Sequence, residues 1–204
     1  MNWITPNTTL EGETVILLPL TETYFAALDK LGEEKKIWEF IPSDMSSSEK
    51  RLAVFLKALQ MREEQTHYPF VIMHKQKNEI IGSTRLLDIF PQHRKLEIGW
   101  TWLHPDYWAT SINFECKLLL LTFCFEELKA CRVQLRTDEN NIRSRKAIEK
   151  IGAQYEGILR HDLIRENGTH RNSAYFSIID SEWIEKKQRL EEKLKRKCHE
   201  QSNR

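Results

Sequence analysis

Polar side chains lie at the N-termini of two predicted helices, and helix N-termini can bind phosphate groups. The loop from Trp108 to Asn113 is rich in small polar residues and leads into a stretch whose apolar residues recur at helical spacing. A second patterned stretch begins with Asn141-Ile142-Arg143-Ser144. Unpaired N–H groups and the positive end of the helix dipole converge at a helix N-terminus and stabilise a bound pyrophosphate. The same residue types are also plain N-caps, so the pattern alone leaves a phosphate site and a capping role open.

Both helix N-termini belong to one strand–loop–helix–strand–helix unit that spans residues 96–152. The alternation of apolar and other residues from Lys95 to Leu103 predicts a strand with Trp100 and Trp102 on the face opposite Glu97. Apolar residues at helical spacing predict one helix from about 112 to 129 and another from 141 to 151. A strand at 132–137 is expected between the two helices.

The order of the remaining strands and helices predicts an α/β protein of the mixed α+β kind. Ser46 and Glu49 form a capping box that starts a helix through about Gln65. Residues 1–180 are predicted to form one domain. Residues 181–204 are predicted to form a charged helical tail that docks by one sparse apolar stripe or enters a homodimer contact. Further strands are predicted at 14–20, 68–74, 79–89, 153–165 and 170–179.

Composition and charge narrow the class of protein. The chain has 204 residues, enough for a sizeable core, and its formal net charge of +1 indicates neither a nucleic-acid nor a membrane-surface partner. No apolar run approaches the roughly 18–20 residues of a membrane span, and no secretory pattern opens the sequence. The four cysteines show neither CxxC pairs nor metal-ligand spacing. We therefore expect no metal site and a cytoplasmic protein.

Three stretches, in order, resemble the GCN5-related N-acetyltransferases (GNAT). They read LEIGWTWLHPDYW, then INFECKLLLLTFCFEELKACRVQLRTDENNIRSRKAIEKIGAQYEGILR, then NGTHRNSAYFSIIDSEW. Within that family they resemble the RimJ/RimL-type branch, which acetylates protein N-terminal amines and various small amines. The resemblance implies the GNAT fold, in which helices cover both faces of a splayed, mostly antiparallel central sheet of about seven strands. It also implies acetyl-CoA as the cosubstrate.

The resemblance also assigns coenzyme contacts. In the family, acetyl-CoA lies where the sheet splays open, its pantetheine pairs with the strand that precedes the loop, and its pyrophosphate binds the loop amides. The corresponding residues are Trp102, Leu103, Trp108, Ala109, Thr110, Ser111, Ile112, Asn113, Asn141 and Ser144. The family loop has Arg or Gln where this chain has Trp108, and Gly where it has Ser111; Ala109 stands where another Gly is frequent. Because glycine reaches conformations that other residues avoid, a degenerate GNAT-fold binding module without catalysis is the alternative.

Acetyl transfer from a thioester to an amine requires a deprotonated amine and hydrogen-bond donors for the oxyanion and the leaving thiolate. The resemblance assigns Ser144 to the thiolate and a backbone N–H of the Trp102–Leu103 segment to the oxyanion. The resemblance also implies direct transfer in a ternary complex, in which the cysteines would need no catalytic role.

The sequence offers several candidates for the general base. Glu97 on the predicted strand is the candidate, although a strand carboxylate also forms sheet-face ion pairs. Glu156 is a second carboxylate candidate, and histidines have a suitable intrinsic pKa; those considered are His104, His161 and His170. The acceptor is expected to be a protein N-terminal or small-molecule amine.

Overall fold

An eight-stranded sheet forms the centre of the molecule, in a computed structural model that describes residues 3–202 and side chains as far as residue 197. The strands are β1 Leu10–Glu11, β2 Val15–Pro19, β3 Tyr68–His74, β4 Glu79–Phe90, β5 Lys95–Leu103, β6 Arg132–Asp138, β7 Gln154–Ile164 and β8 His170–Ile179. The helices are α1 Phe25–Leu31, α2 Ser48–Glu63, α3 Ile112–Thr122, α4 Ile142–Lys150 and α5 Asp180–Ser202. The mixed α/β class predicted from the sequence is confirmed, and the two-residue β1 is the strand that the pattern did not indicate.

The sheet splays between its two middle strands. The spatial order is β1-β2-β3-β4-β5-β6-β8-β7, and β5 with β6 is the parallel pair among otherwise antiparallel neighbours. That pair is short, since it joins Lys95–Glu97 to Arg132–Gln134 and then ends. The part of β5 beyond Glu97 therefore faces a gap, which confirms the splayed sheet.

Two hydrophobic clusters cover the two faces of the sheet. Successive residues of β3, Phe70 and Val71, belong to different clusters, as expected when side chains alternate across a strand. The larger cluster contains the apolar face of α3 and two residues of α5, Trp183 and Leu190. The smaller cluster contains residues of α1 and α2 and covers the other face.

Strand β5 departs from the predicted alternation at Trp100. This residue has a φ of +49°, and the pairing with β4 shifts between Gly99 and Trp102. Such a bulge inserts one residue and exchanges the faces that later side chains occupy. Leu96 and Trp102 consequently lie in different clusters. Since Glu97 follows Leu96 and points to the opposite face, Trp102 shares the face of Glu97, and the prediction that it lies on the opposite face is wrong.

Two helix boundaries also differ from the predictions. The cap of α2 is Ser47, whose Oγ accepts a hydrogen bond from the N–H of Lys50 at 3.3 Å, so the predicted cap at Ser46 is one residue too early. The helix predicted to continue to residue 129 leaves α-geometry after Thr122 and ends in a π-turn at Phe123–Glu127. No helix among residues 3–202 combines the length and the apolarity that a membrane span needs.

Candidate active site

A cleft of about 270 Å³ occupies the gap between β5 and β6. β5 and the loop after it form one wall, and β6 with the first turns of α4 forms the other. Residues 37–42, between α1 and α2, close one side. The cleft is lined by these residues predicted as site members: Glu97, Trp102, Leu103, Trp108, Ala109, Asn113, Asn141 and Ser144. Thr110, Ser111 and Ile112 do not line it, and the last two are buried below the loop.

The loop before α3 has a left-handed residue in the place where glycine is frequent in the resembling family. Ala109 has a φ of +61°, a conformation that costs a residue with a Cβ about 1–2 kcal/mol. Ser111 instead has helical angles, φ −71° and ψ −20°, so its position does not require glycine. Thr110 fixes the turn, because its Oγ1 donates to the carbonyl of Tyr107 at 2.7 Å and accepts from the N–H of Ile112 at 3.3 Å. The chain therefore forms the tight loop without the family glycines.

Trp108 crosses the mouth of the cleft. Its indole N–H donates to the carbonyl oxygen of Leu103 at 2.8 Å, and the guanidinium carbon of Arg143 lies 3.6 Å from the centroid of its ring system. Both side chains line the cleft. An aromatic ring covered by a cation thus occupies the position where the family has Arg or Gln.

Asn141 is the N-cap of α4. Its Oδ1 accepts a hydrogen bond from the backbone N–H of Ser144 at 3.0 Å, and its own backbone is non-helical. Since Ser144 sits in the first turn and lines the cleft, Asn141 fixes the position of this serine.

Glu97 lies at the point where β5 and β6 separate, and only 2% of the residue is exposed. Its Oε2 accepts from Nε2 of Gln134 at 2.7 Å, and its Oε1 lies 3.1 Å from Nε of Arg136. Burial raises the pKa of this carboxyl to about 7, although Arg136 and Gln134 favour the charged form. A carboxylate with a pKa near neutrality can accept a proton and release it again.

Arg136 connects Glu97 to a set of acidic and phenolic groups that the sequence did not indicate. Besides Glu97, its guanidinium lies 3.4 Å from Asp88 Oδ2 and 3.6 Å from Asp162 Oδ2, and it donates to Tyr175 Oη at 3.1 Å. These four partners come from four strands and are far apart in sequence. No local spacing therefore marks them, and only the sheet order brings them together.

Lys117 is a further residue of the cleft that the sequence did not single out. It lies on α3, is 6% exposed, and donates from Nζ to Thr101 Oγ1 at 2.7 Å. Burial lowers the pKa of this ammonium to about 8. Its one visible signal is a charge that interrupts the apolar helix stripe between Cys116 and Leu118. The bulge at Trp100 creates this contact, because it turns Thr101 toward α3.

The other candidate bases lie outside the cleft. Glu156 on β7 pairs with Arg132 at 2.5 Å and accepts from Ser177 at 2.7 Å. His161 and His170 stack on each other at 4.0 Å on the β7–β8 hairpin. His104 accepts from the N–H of Asp106 at 3.5 Å. None of these candidates lines the cleft.

The cysteine side chains that the structure describes are reduced and have structural surroundings. Burial raises the pKa of Cys116 to about 12, so its thiol stays protonated and is a poor nucleophile. Burial likewise raises the pKa of Cys124 far above its ordinary value. The side chain of Cys198 lies outside the described residues. Among residues 3–197, no group of three or more His, Cys, Asp or Glu side chains is arranged to hold a metal ion.

Comparison with known proteins assigns the family. Residues 14–154 match the family model described as the acetyltransferase (GNAT) domain, and these residues include β2 to β6 and the whole loop–helix motif. The chain belongs to the GNAT family. Its class is therefore that of the acetyl-CoA-dependent acyltransferases, and the resemblance seen in the three sequence stretches is confirmed.

Individual GNAT proteins match this chain over different parts of its length. Bacillus subtilis YdaF, provisionally named a ribosomal N-acetyltransferase, is 33% identical over 51% of this chain, and the match spans only 56% of YdaF. Bacillus subtilis YoaA, named as an uncharacterized N-acetyltransferase, is 23% identical over 83% of this chain and 96% of its own length. These two relatives support the family assignment.

Solved structures show the same fold. A protein from T. thermophilus, provisionally described as an acetyltransferase, superposes with a TM-score of 0.84 at 31% identity and covers 94% of this chain and 99% of that one. Mycobacterium smegmatis RimJ, solved with CoA-disulfide, has a TM-score of 0.75 at 19% identity over 91% of each chain. The second likeness concerns the fold alone.

Proposed function

We propose that this GNAT protein transfers the acetyl group of acetyl-CoA to a primary amine in the cytoplasm, by direct transfer in a ternary complex. The open edge of β5 is the observation that carries the proposal. Since the β5–β6 ladder ends at Glu97, the edge of β5 beyond Glu97 that points away from β4 faces the cleft, where it can pair with an extended pantetheine. The tight loop at Ala109 leads into the N-terminus of α3, which suits the pyrophosphate.

Three groups divide the chemistry in this proposal. Glu97 takes the proton of the incoming amine, directly or through water, because its carboxyl has a pKa near 7 and lines the cleft. Ser144 donates to the leaving thiolate. The backbone N–H groups of the Trp102–Leu103 segment stabilise the oxyanion. Acetyl-CoA itself supplies the activated acetyl group.

The acceptor is proposed to be a protein N-terminal amine or a small-molecule amine. YdaF is named for a ribosomal substrate, and this supports peptides with ribosomal-protein N-termini as the first acceptors to test. The side of the cleft formed by residues 37–42 combines Ile37, Phe40 and Ile41 with Trp102, which suits an apolar side chain next to the reacting amine.

A binding module without catalysis is the second candidate function. One contact favours it: the indole of Trp108 already uses the carbonyl oxygen of Leu103, a group that an extended pantetheine could otherwise contact. Residues of the loop would then hold a ligand or a protein segment without turnover.

Calorimetry and an acetylation assay test the proposal together. We expect acetyl-CoA to bind with a micromolar dissociation constant and to acetylate at least one amine of a panel of N-terminal peptides, polyamines and amino sugars, read by mass spectrometry. Absence of binding at millimolar acetyl-CoA would rule the transferase out. Binding without transfer to any acceptor would favour the module.

A further inference from the structure

Arg171 of β8 is a buried arginine of the cleft that has no role in the proposed mechanism. The residue lines the cleft and is 7% exposed. It is the second residue of β8, and β8 directly follows the turn that joins it to β7. In that turn the N–H of Glu166 donates to the carbonyl oxygen of Pro42 at 3.3 Å, and Pro42 also lines the cleft. Arg171 therefore lies at the end of the cleft that residues 37–42 close.

Arg171 and Glu97 face the same side of the sheet. Arg136 connects β5 to β8, because it lies 3.1 Å from Glu97 Oε1 and donates to Tyr175 Oη at 3.1 Å. Tyr175 and Arg171 are four residues apart on β8, and the side chains of a strand alternate between the two faces of the sheet. The side chains of Glu97, Tyr175 and Arg171 thus belong to one face.

Arg171 also lies close to the start of α4. Just after β6, the N–H of Glu139 donates to the carbonyl oxygen of Asn172 on β8 at 3.1 Å. Arg171 is the next residue of β8, so it lies opposite the segment that leads into α4. Ser144, in the first turn of α4, lines the same cleft and is the proposed donor to the leaving thiolate. We therefore expect the reacting acceptor to lie near Arg171.

The guanidinium of Arg171 has hydrogen-bond donors that no described group accepts. Its Nε is buried without a hydrogen bond, and the nearest acid among residues 3–197 is Asp138, whose Oδ2 lies 3.9 Å from that nitrogen. Asp138 is held by other donors, since the same Oδ2 forms a close ion pair with Arg165 and Oδ1 accepts from the N–H of Asn140 at 3.0 Å. Two arginines therefore share one carboxylate at this end of the cleft.

The surroundings of Arg171 do not compensate for the burial of its charge. The pKa of this guanidinium is lowered, and burial is the largest cause. The charges of Asp138 and Asp162 favour the cation, whereas those of Arg136 and Arg165 disfavour it. Asp162 itself lies 3.6 Å from Arg136. An anion that enters the cleft would offset this cost, because a buried charge is tolerated when it is paired and hydrogen-bonded.

We propose that Arg171 binds a carboxylate of the acceptor, so that the substrate is a small amino acid and not a simple amine. The inference rests on the proposed function, since the amine of the same molecule must reach the acetyl group in this cleft. The planar fork of arginine matches a carboxylate through two parallel hydrogen bonds. Because Ile37, Phe40 and Ile41 suit an apolar side chain, leucine is the first amino acid to test.

Matched acceptor pairs test this inference. Leucine is compared with isopentylamine, which lacks only the carboxylate, and γ-aminobutyrate is compared with propylamine in the same way. We expect at least one of these amino acids to be acetylated. Arg171→Gln should lower kcat/KM for that amino acid about tenfold or more, mainly through KM, and should leave the matched amine within about threefold. Variant and native protein are compared on the same acceptor, so the different basicities of the amines cancel.

Two further variants separate the charge of Arg171 from a structural role. Arg171→Lys keeps the cation without the planar fork, and its loss with the amino acid should be smaller than that of Arg171→Gln. Should Arg171→Gln fail to fold, the same comparison of acceptors is made with Arg171→Lys. Arg160→Gln removes an exposed arginine of β7 and should keep both acceptors within about twofold of the native protein. Calorimetry with acetyl-CoA should give native affinity for each variant.

Equal losses for an amino acid and its matched amine would overturn the inference, since Arg171 would then have only a structural role. A loss of the same size with leucinamide as with leucine would also overturn it, because a neutral carbonyl oxygen, as in a peptide, would then suffice. If the native protein acetylates other amines but no amino acid, the inference fails and the proposed function stands. If the native protein neither binds acetyl-CoA nor acetylates any amine, the proposed function fails instead.

Discussion

The Glu97 carboxylate lies 3.1 Å from Nε of Arg136, and the two residues stand side by side where β5 and β6 part. Burial of the carboxylate and attraction by the guanidinium oppose each other, and burial has the larger effect on the pKa. Arg136 thus keeps a deeply buried acid within range of ionisation near neutral pH. This balance is what makes Glu97 the candidate base.

Glu97→Gln is expected to lower kcat by about 100-fold or more, because a general base is removed without loss of shape. In the native protein, kcat/KM should rise with pH and level off above a pKa of about 7, since the ionised form is the active one. The variant should lose this rise. Glu156→Gln is the matched control, because Glu156 also pairs with an arginine of β6 but lies outside the cleft. A native-like pH profile in the Glu97 variant would exclude Glu97 as the base.

Ser144→Ala is expected to leave the affinity for acetyl-CoA within about twofold and to reduce kcat by about 100-fold, as expected for loss of a positioned proton donor. The thiolate would then leave without a hydrogen bond. Calorimetry and initial rates on the same preparation separate the two effects. Unchanged turnover would remove Ser144 from the mechanism.

Asn141→Ala is expected to lower the free energy of unfolding by about 1 kcal/mol, the usual cost of losing an N-cap. The variant also releases Ser144, whose N–H is the group that Asn141 binds. Urea denaturation measures the loss, and Asn140→Ala changes the exposed neighbouring residue as the control. Equal stability of the two variants would contradict a capping role.

Ala109→Gly is expected to raise the free energy of unfolding by about 1 kcal/mol or less, because relief of the left-handed strain is offset by the greater freedom of glycine in the unfolded chain. The affinity for acetyl-CoA should change little, since the loop already has the conformation that glycine permits. Calorimetry with acetyl-CoA is the measurement. A large gain in affinity would show that the native loop is impaired and would favour the binding module.

Lys117→Met is expected to stabilise the protein at neutral pH, because a buried ammonium is replaced by an apolar side chain of similar length. The folded state lowers the pKa of Lys117 to about 8, below its ordinary value of 10.5. Between these values the unfolded chain binds more protons, so native stability rises with pH across this window.

The Lys117 variant should lose that rise, and urea denaturation between pH 7 and 10 measures it. Lys57→Met, which removes an exposed ammonium, should retain the rise. A variant with native pH dependence would show that Lys117 is not desolvated in solution.

The sequence was sufficient for the fold because periodicity and motif order act locally. The strand–loop–helix unit and the cap at Asn141 follow from residues that are neighbours in the chain, whereas the splay was implied by the family resemblance. The arrangement around Arg136 was not predictable, because Glu97 and Tyr175 reach it through sheet pairing across 39 residues in each direction.

The bulge at Trp100 could not be predicted from the sequence for a different reason. Tryptophan has no special tolerance of positive φ, so its residue type gives no sign of a bulge. The alternation up to Gly99 is regular, and the inserted residue becomes visible only in the pairing with β4. The hydrogen bond from Lys117 to Thr101 depends on this exchange of faces, so the sequence pattern does not predict it. Glu97 precedes the bulge, so its place in the cleft does not depend on the exchange of faces.

The three residue pairs that join β5 to β6 have a mechanical consequence. They act as a narrow joint between two half-sheets, β1–β5 and β6–β8. A molecule that bridges the gap would stiffen the joint. We therefore expect slower hydrogen–deuterium exchange of amides in residues 98–103 when acetyl-CoA is added, with little change in β2 and β3 far from the joint.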